Sequence, residues 1–177
     1  MKKIILISIL ISLFSAQNVF SNKIAVIDIE EIIDNNKSYI SILNEIENTQ
    51  IQNSSFLKDE ELKLKEMYKE IEDSKILLTD IEINNLIDDY NYKFNEFSVK
   101  VEEFNNHFQN QILEIRKLIL KEIIVLSEKY AKKNDIDLIL DSTSYLIASN
   151  EINMTKSIIE ELDKLTLLLE FDSFEKN

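Results

Sequence analysis

His107 is the chain's single histidine, and the chain has no cysteine at all. A zinc site needs three or four ligands of His, Cys or carboxylate type. His107 could give only one, and it lies beside Phe108 in a segment that reads as helix, where it is expected to be a lone exposed residue. Carboxylates are plentiful, but neighbours such as Asp88 and Asp89 read as a solvated helix face rather than an acid–base pair. Loops that cradle phosphate require glycine, and the sequence has none, which argues against ATP use. No residue is therefore assigned to catalysis, to a cofactor or to a metal, and the chain does not read as an enzyme. What remains is chemistry of surfaces: apolar side chains that stick, and elements that hold them out.

The first 21 residues read as a signal peptide. Lys2 and Lys3 are followed by an apolar run from Ile4 to Phe14, and Val19 and Ser21 are the small residues read at cleavage. An uncleaved anchor is the alternative, although about 11 apolar residues fall short of the ~20 a spanning helix takes. No cysteine follows the run, so a lipid-anchored form is excluded. Cleavage after Ser21 leaves about 156 residues, enough for one domain. They carry 18 basic and 33 acidic residues, a net charge of −15. That balance opposes nucleic acid and contact with an anionic membrane surface. With no Gly, Pro or Cys, nothing forces a helix to stop between residues 37 and 134, and export brings no disulfide.

Residues 23–29, KIAVIDI, form a β-branched run suited to a buried strand, and 30–36 suggest one or two helical turns. A heptad seam then runs through Tyr39, Leu43, Ile46, Gln50, Asn53, Leu57, Glu60, Leu64, Met67, Ile71, Ser74 and Leu78. A second seam runs through Ile83, Ile87, Tyr90, Phe94, Phe97, Val101, Phe104 and Phe108. It shifts register into Ile112, Ile115, Ile119, Ile123, Leu126 and Tyr130. Leu118, Leu120, Ile124 and Val125 are apolar too, which predicts burial of that end on more than one side. Between the seams, Thr79 and Glu82 have capping-box spacing, with Leu78 and Ile83 at staple positions. These four predict an arm-tip turn, so helix 38–78, roughly 60 Å long at 1.5 Å per residue, would be followed by a return helix over about 80–133. One unbroken helix is the other reading, since no breaker is present. Lys129, Lys132 and Lys133 suit the far end of the return helix.

The alternating stretch 136–149 predicts a β-hairpin turning at Ser142–Thr143, with Leu140 facing Tyr145, Leu138 facing Ile147 and Ile139 facing Leu146. A last helix is expected over 154–169, capped by Thr155 or Asn153, with Ile158, Ile159, Leu162, Leu165 and Leu169 inward. An arm that doubles back brings strand 23–29 beside this hairpin in a three-stranded sheet. Such a sheet has open edges that invite pairing, and it is small for so long an arm. Several copies sharing one β hub would answer both problems. The fold expected is mostly α with a small β hub (α+β). Residues 22–37 and 134–177 form its body, 38–133 its arm, and Val26, Ile27, Leu138, Leu140, Tyr145 and Ile147 the oligomer core.

KIAVID (23–28) after a signal peptide, LTDIE (78–82) at the arm tip, and IDLILDSTSYLIASNEINMTKSIIEELDK (136–164) at the end together resemble the Skp (OmpH-like) family of periplasmic chaperones. The resemblance implies a homotrimer with a barrel-like hub and three helical arms around a cavity. It also implies an ATP-independent holdase that binds unfolded outer-membrane proteins in the periplasm and passes them to the outer-membrane assembly machinery. The chain departs from the family's basic arms: residues 38–133 hold 19 acidic and 13 basic residues. No membrane-contacting residue carries over.

A holdase requires export, a broad surface of modest stickiness, and arms that spread. Gln50, Asn53, Glu60 and Ser74 would either loosen the arm or set its register. Leu62, Tyr68, Ile76, Leu77 and Tyr92 lie off the seam and are the expected client contacts. The competing reading is an exported coiled-coil protein that spaces or bridges envelope components; a pure spacer has no reason to keep two β pieces suited to one sheet. An enzyme using acidic residues is a third.

Overall fold

The computed structural model describes residues 22–174; the expected signal segment, 1–21, lies outside them. Strand β1 (Ile24–Ile27) is the β-branched run, with three of its four side chains buried. Asp28 ends it and caps helix α1 (Ile29–Asn35), its carboxylate accepting from the Glu31 N–H at 2.9 Å. Buried Asn36 then stops α1 and caps α2 (Lys37–Asn53), accepting from the Tyr39 N–H at 2.9 Å. Side-chain caps do here what Gly and Pro do in other chains.

The outgoing limb is not the single helix 38–78 that its period predicts. It is α2 followed by α3 (Ser55–Ser74), interrupted at Ser54, whose hydroxyl bonds the Ile51 carbonyl at 2.8 Å. A serine that bonds its own backbone competes with the helix ladder. The limb also ends at Ser74, where the N–H groups of Leu77 and Leu78 both turn back onto the Ser74 carbonyl. Thr79 then caps α4 (Asp80–Asn134), 55 residues and about 80 Å long. The chain reverses here. Phe56 meets Phe104 (5.9 Å between ring centroids), Glu60 pairs with Lys100 (2.9 and 3.1 Å), and Tyr68 meets Tyr90 (5.8 Å).

The two seams face each other. Every first-seam residue from Tyr39 to Ser74 is buried or half-buried, and so is every second-seam residue except Phe94. Polar Glu60 sits in this seam because Lys100 crosses to it, and that ammonium is held charged above its usual range by the carboxylate's hydrogen bond. Near the root, Arg116 of α4 reaches Glu30, Asp34 (3.5 Å) and the Tyr39 hydroxyl (3.2 Å), tying α4 to α1 and α2.

Helix α4 ends on Asp135 in the left-handed conformation (φ 54°, ψ 46°), with the Asp135 and Ile136 N–H groups both bonding the Ala131 carbonyl. This is a glycine position filled by aspartate. The chain enters β2 (Leu138–Asp141), which pairs with β1 in parallel: Ile24 with Leu138, Ala25 with Ile139, Val26 with Leu140 and Ile27 with Asp141.

The expected hairpin does not form. Residues 142–144 and 150–152 are single 3₁₀ turns, and Tyr145, Leu146 and Ile147 pair with none of Leu140, Ile139 and Leu138. The cause is Asp141. Its carboxylate accepts from the Thr143 hydroxyl (2.6 Å), the Thr143 N–H (3.1 Å) and the Ile29 N–H (3.2 Å), which turns the chain out of the strand. The sheet therefore has two strands rather than three. On the other side of β1, a lone bridge to Asn153 and a bond from the Met154 N–H to the Val26 carbonyl (2.9 Å) fill the edge.

The last helix, α5 (Thr155–Leu162), is half the expected length. The Asn153 carboxamide accepts from the Thr155 N–H at 2.9 Å, while the Thr155 hydroxyl accepts from the Asp28 N–H at 2.9 Å and docks α5 on β1. After Leu162 the chain leaves the helix. The Asp163 carboxylate bonds Asn36 (3.1 Å) and the Lys37 N–H (3.3 Å) instead of continuing a polar face. Residues 166–174 then run without regular structure. One core joins body and arm root: Ile32, Ile33, Ile119, Ile123, Met154, Ile158 and Leu162 below, and Ile46, Phe104, Phe108 and Ile115 above.

Candidate functional site

The arm's surface is built around Leu64 and Phe97, two seam residues that each border a groove on either flank. One groove, about 290 Å³, is charged, with Glu60, Lys63, Lys93, Glu96 and Lys100 around Met67. The other, about 410 Å³, is mostly aromatic, with Tyr68, Tyr90 and Phe94, and the Glu61–Lys65 ion pair (2.7 Å) is also part of its lining. Tyr90 stacks on Phe94 at 6.0 Å. The same hairpin thus offers a wet flank and a sticky one. Phe94 is partly exposed because it faces this aromatic groove rather than the seam.

At the tip, Thr79 and Glu82 form the expected capping box. The Thr79 N–H and hydroxyl reach the Glu82 carboxylate at 2.9 and 2.7 Å, and the Glu82 N–H lies 3.5 Å from the hydroxyl. The Thr79 hydroxyl, then its N–H, hold the Glu82 carboxyl below the usual carboxylate range. Leu78 lies in the turn and Ile83 is half-buried behind it. Beside them Ile76 and Leu77 are 92% and 84% exposed, and Ile81 is 74% exposed. Leu62, Tyr68 and Tyr92 are also exposed, though Tyr68 leans on Tyr90 and the Tyr92 hydroxyl donates to Glu96 at 2.8 Å. The expected client contacts do not include Ile81. Its sign in the sequence is an apolar residue between Thr79 and Ile83 that belongs to neither seam.

The residues assigned to an oligomer core divide. Val26 and Ile27 are already buried within the single chain, Ile27 in its hydrophobic core and at the edge of the groove described next. Leu138 is exposed, Leu140 and Tyr145 are half-buried, and Ile147 is 87% exposed. Among the described residues no strand pairs with the outer edge of β2. Beside that edge lies an apolar groove of about 370 Å³ lined by Ile27, Ile123, Ile124, Ile136, Leu138 and Ile139. The second face of α4 expected to be buried here is not: Leu118, Ile124 and Val125 are exposed, and Leu120 is half-buried. A single chain has nothing to lay over them.

His107 is not the lone surface residue that its position suggested. Its Nε2 meets the Asp172 carbonyl at 2.8 Å, and its ring packs edge-on to Phe108 and Phe174. Because a carbonyl only accepts, Nε2 is the protonated nitrogen. Among the described residues, no group of three or more His, Asp or Glu side chains is placed to hold a metal ion. No helix of the described residues is long and apolar enough to cross a membrane.

Comparison with known proteins agrees with this architecture. The model of a family described as outer membrane protein (OmpH-like) matches residues 23–162, which takes in both strands and the whole arm. Among solved structures, that of a candidate outer membrane chaperone (OmpH-like) from Caulobacter crescentus CB15 superposes with a TM-score of 0.68. It does so at 12% identity, over 88% of this chain and 92% of that one. At this identity the likeness is one of fold. No curated protein matches the chain by sequence.

Proposed function

Since the chain belongs to the OmpH-like outer membrane protein family, we propose that it is an ATP-independent holdase chaperone of the periplasm. In this reading it is exported by its cleaved N-terminal segment and binds unfolded outer-membrane β-barrel proteins. It keeps them from aggregating and passes them to the outer-membrane assembly machinery.

The observation that carries the reading is the arm's divided surface. Its seam is closed, so it holds its shape, yet Tyr68, Tyr90 and Phe94 line an open groove while Ile76, Leu77 and Ile81 stand in solvent at the tip. Each exposed apolar side chain gains ~1.5–3 kcal/mol if fully covered. Several spread along one arm hold an unfolded chain firmly without a pocket and without an energy source. Monomeric proteins rarely leave large apolar patches open unless something binds there.

The body supports assembly as a homotrimer. The edge of β2, the groove beside it, which Ile124 lines, and the exposed side chains of Leu118 and Val125 on α4 are all left open in the single chain, and an unprotected edge of this kind pairs or aggregates. Sister chains around a threefold axis would cover it and set three arms about a shared space.

The test is dilution of a urea-unfolded β-barrel outer-membrane protein into buffer holding residues 22–177. Light scattering should be suppressed at about three chains per client. Scattering unchanged at a tenfold excess would remove the chaperone reading.

A further inference from the structure

The family match ends at residue 162, and the chain does not stop there. Residues 163–165 turn out of α5, and residues 166–174 climb the root of the arm without regular structure. Leu167, Leu169 and Phe171 are half-buried while Leu168, Glu170 and Asp172 face solvent, the alternation of an extended chain lying on a surface. The backbone of Asp172 is gripped at both groups. Its carbonyl accepts from His107 Nε2 at 2.8 Å, and its N–H lies 3.4 Å from the Gln111 carboxamide oxygen. Phe174 ends the climb in an aromatic cluster: stacked on Phe56 (6.2 Å, 5° between planes), edge-on to Phe104 (5.1 Å) and edge-on to His107 (5.5 Å). Phe56 lies two residues beyond the interruption at Ser54, so the segment ends against the start of α3 just past that break.

What holds this segment down is partly independent of its own sequence. His107 and Gln111 engage backbone groups that every residue has, and the rest is apolar covering without a salt bridge. Any extended chain with alternate apolar side chains and an aromatic residue could satisfy the same surface. Resting on the holdase reading above, we propose that the groove between α2–α3 and α4, floored by Phe56, Phe104, His107 and Gln111, is a docking site for an extended apolar stretch of an unfolded client. Residues 166–174 fill it in cis as a competing strap. The strap shields the groove when no client is present and yields it to one that binds with more contacts elsewhere on the arm.

Two altered chains test this, one full-length with Phe171→Ser and Phe174→Ser and one ending at Leu165. Both keep the Asp163 bonds to Asn36 and Lys37. The probe is a fluorescent peptide of residues 166–177, followed by anisotropy, alongside the affinity of each chain for a urea-unfolded β-barrel protein. The truncated and substituted chains should bind the peptide at least about tenfold more tightly than the intact chain, whose own strap competes at high effective concentration. Both should also bind the client about threefold or more tightly than the intact chain does. If neither altered chain captures the peptide, the groove is not a docking site. If they capture it but all three chains bind the client equally, the strap does not compete with clients, and the inference fails while the holdase reading stands. If no form binds the client, both fall. Circular dichroism guards the comparison: should the truncated chain lose helix, the substituted full-length chain decides.

Discussion

Asp135 holds a left-handed backbone that costs most residues about 1–2 kcal/mol, in a chain that contains no glycine to take the position. Asp135→Gly is expected to stabilise the protein by about 0.5–1 kcal/mol, and Asp135→Val to destabilise it by a similar amount or more. Urea unfolding measures both. Its bridge to Lys23 is long, at 3.9 Å, and exposed, so its loss weighs little. Asp141 makes the opposite case, a side chain whose charge the fold uses. The Thr143 hydroxyl, followed by the N–H groups of Thr143, Ile29 and Ser142, holds its carboxyl below the usual carboxylate range. A carboxyl group depressed on folding stabilises the folded state fully above its unfolded pKa of about 3.9. That contribution is lost as pH falls through the lower folded value. Asp141→Asn should therefore cost about 1–2 kcal/mol at pH 7, and the gap from the parent chain should close in strong acid. A gap that stays constant across the titration would show that the hydrogen-bond geometry matters and the charge does not.

At the scale of elements, the tip is where the proposed binding can be tested apart from stability. Ile76, Leu77 and Ile81 stand outside the seam, so changing all three to serine should move the unfolding free energy by no more than about 0.5 kcal/mol each. Affinity for an unfolded client should fall about threefold to tenfold. The same division explains how much of this fold was legible in the sequence. Both seams, from Tyr39 to Ser74 and from Ile83 to Tyr130, could be read because a helix that packs along one stripe must repeat it every three or four residues. The reversal could be read because Thr79 and Glu82 satisfy each other's backbone. Elements joined through distant side chains could not. The alternation of Leu138, Leu140, Tyr145 and Ile147 fits a hairpin, but the Asp141 carboxylate reaches Ile29 from 112 positions away and takes the chain elsewhere. Likewise Leu165 and Leu169 fit a helix face until Asp163 is spent on Asn36 and Lys37. The aromatic groove is half legible: Tyr68 stands off the seam, while the heptad period accounts for Tyr90 and Phe94 only as seam residues although they wall the groove too.

For the whole molecule, the arm carries 19 acidic and 13 basic side chains, and its apolar patches sit among them. Client binding should then rest on apolar cover rather than on long-range attraction. Raising salt from about 0.1 to about 1 M shortens the screening length from about 10 to about 3 Å, and it should change client affinity by less than about threefold. A steep loss with salt would show that local positive groups such as Lys63, Lys93 and Lys100 do the holding. All of this depends on sister chains closing over the bare edge of β2 and the exposed side chains of Leu118, Ile124 and Leu138. The most direct measurement is the mass, by sedimentation or light scattering at micromolar concentration, of residues 22–177 with and without an unfolded β-barrel protein. The account predicts three chains alone and three chains around one client together. A monomer that leaves the client to aggregate would contradict it.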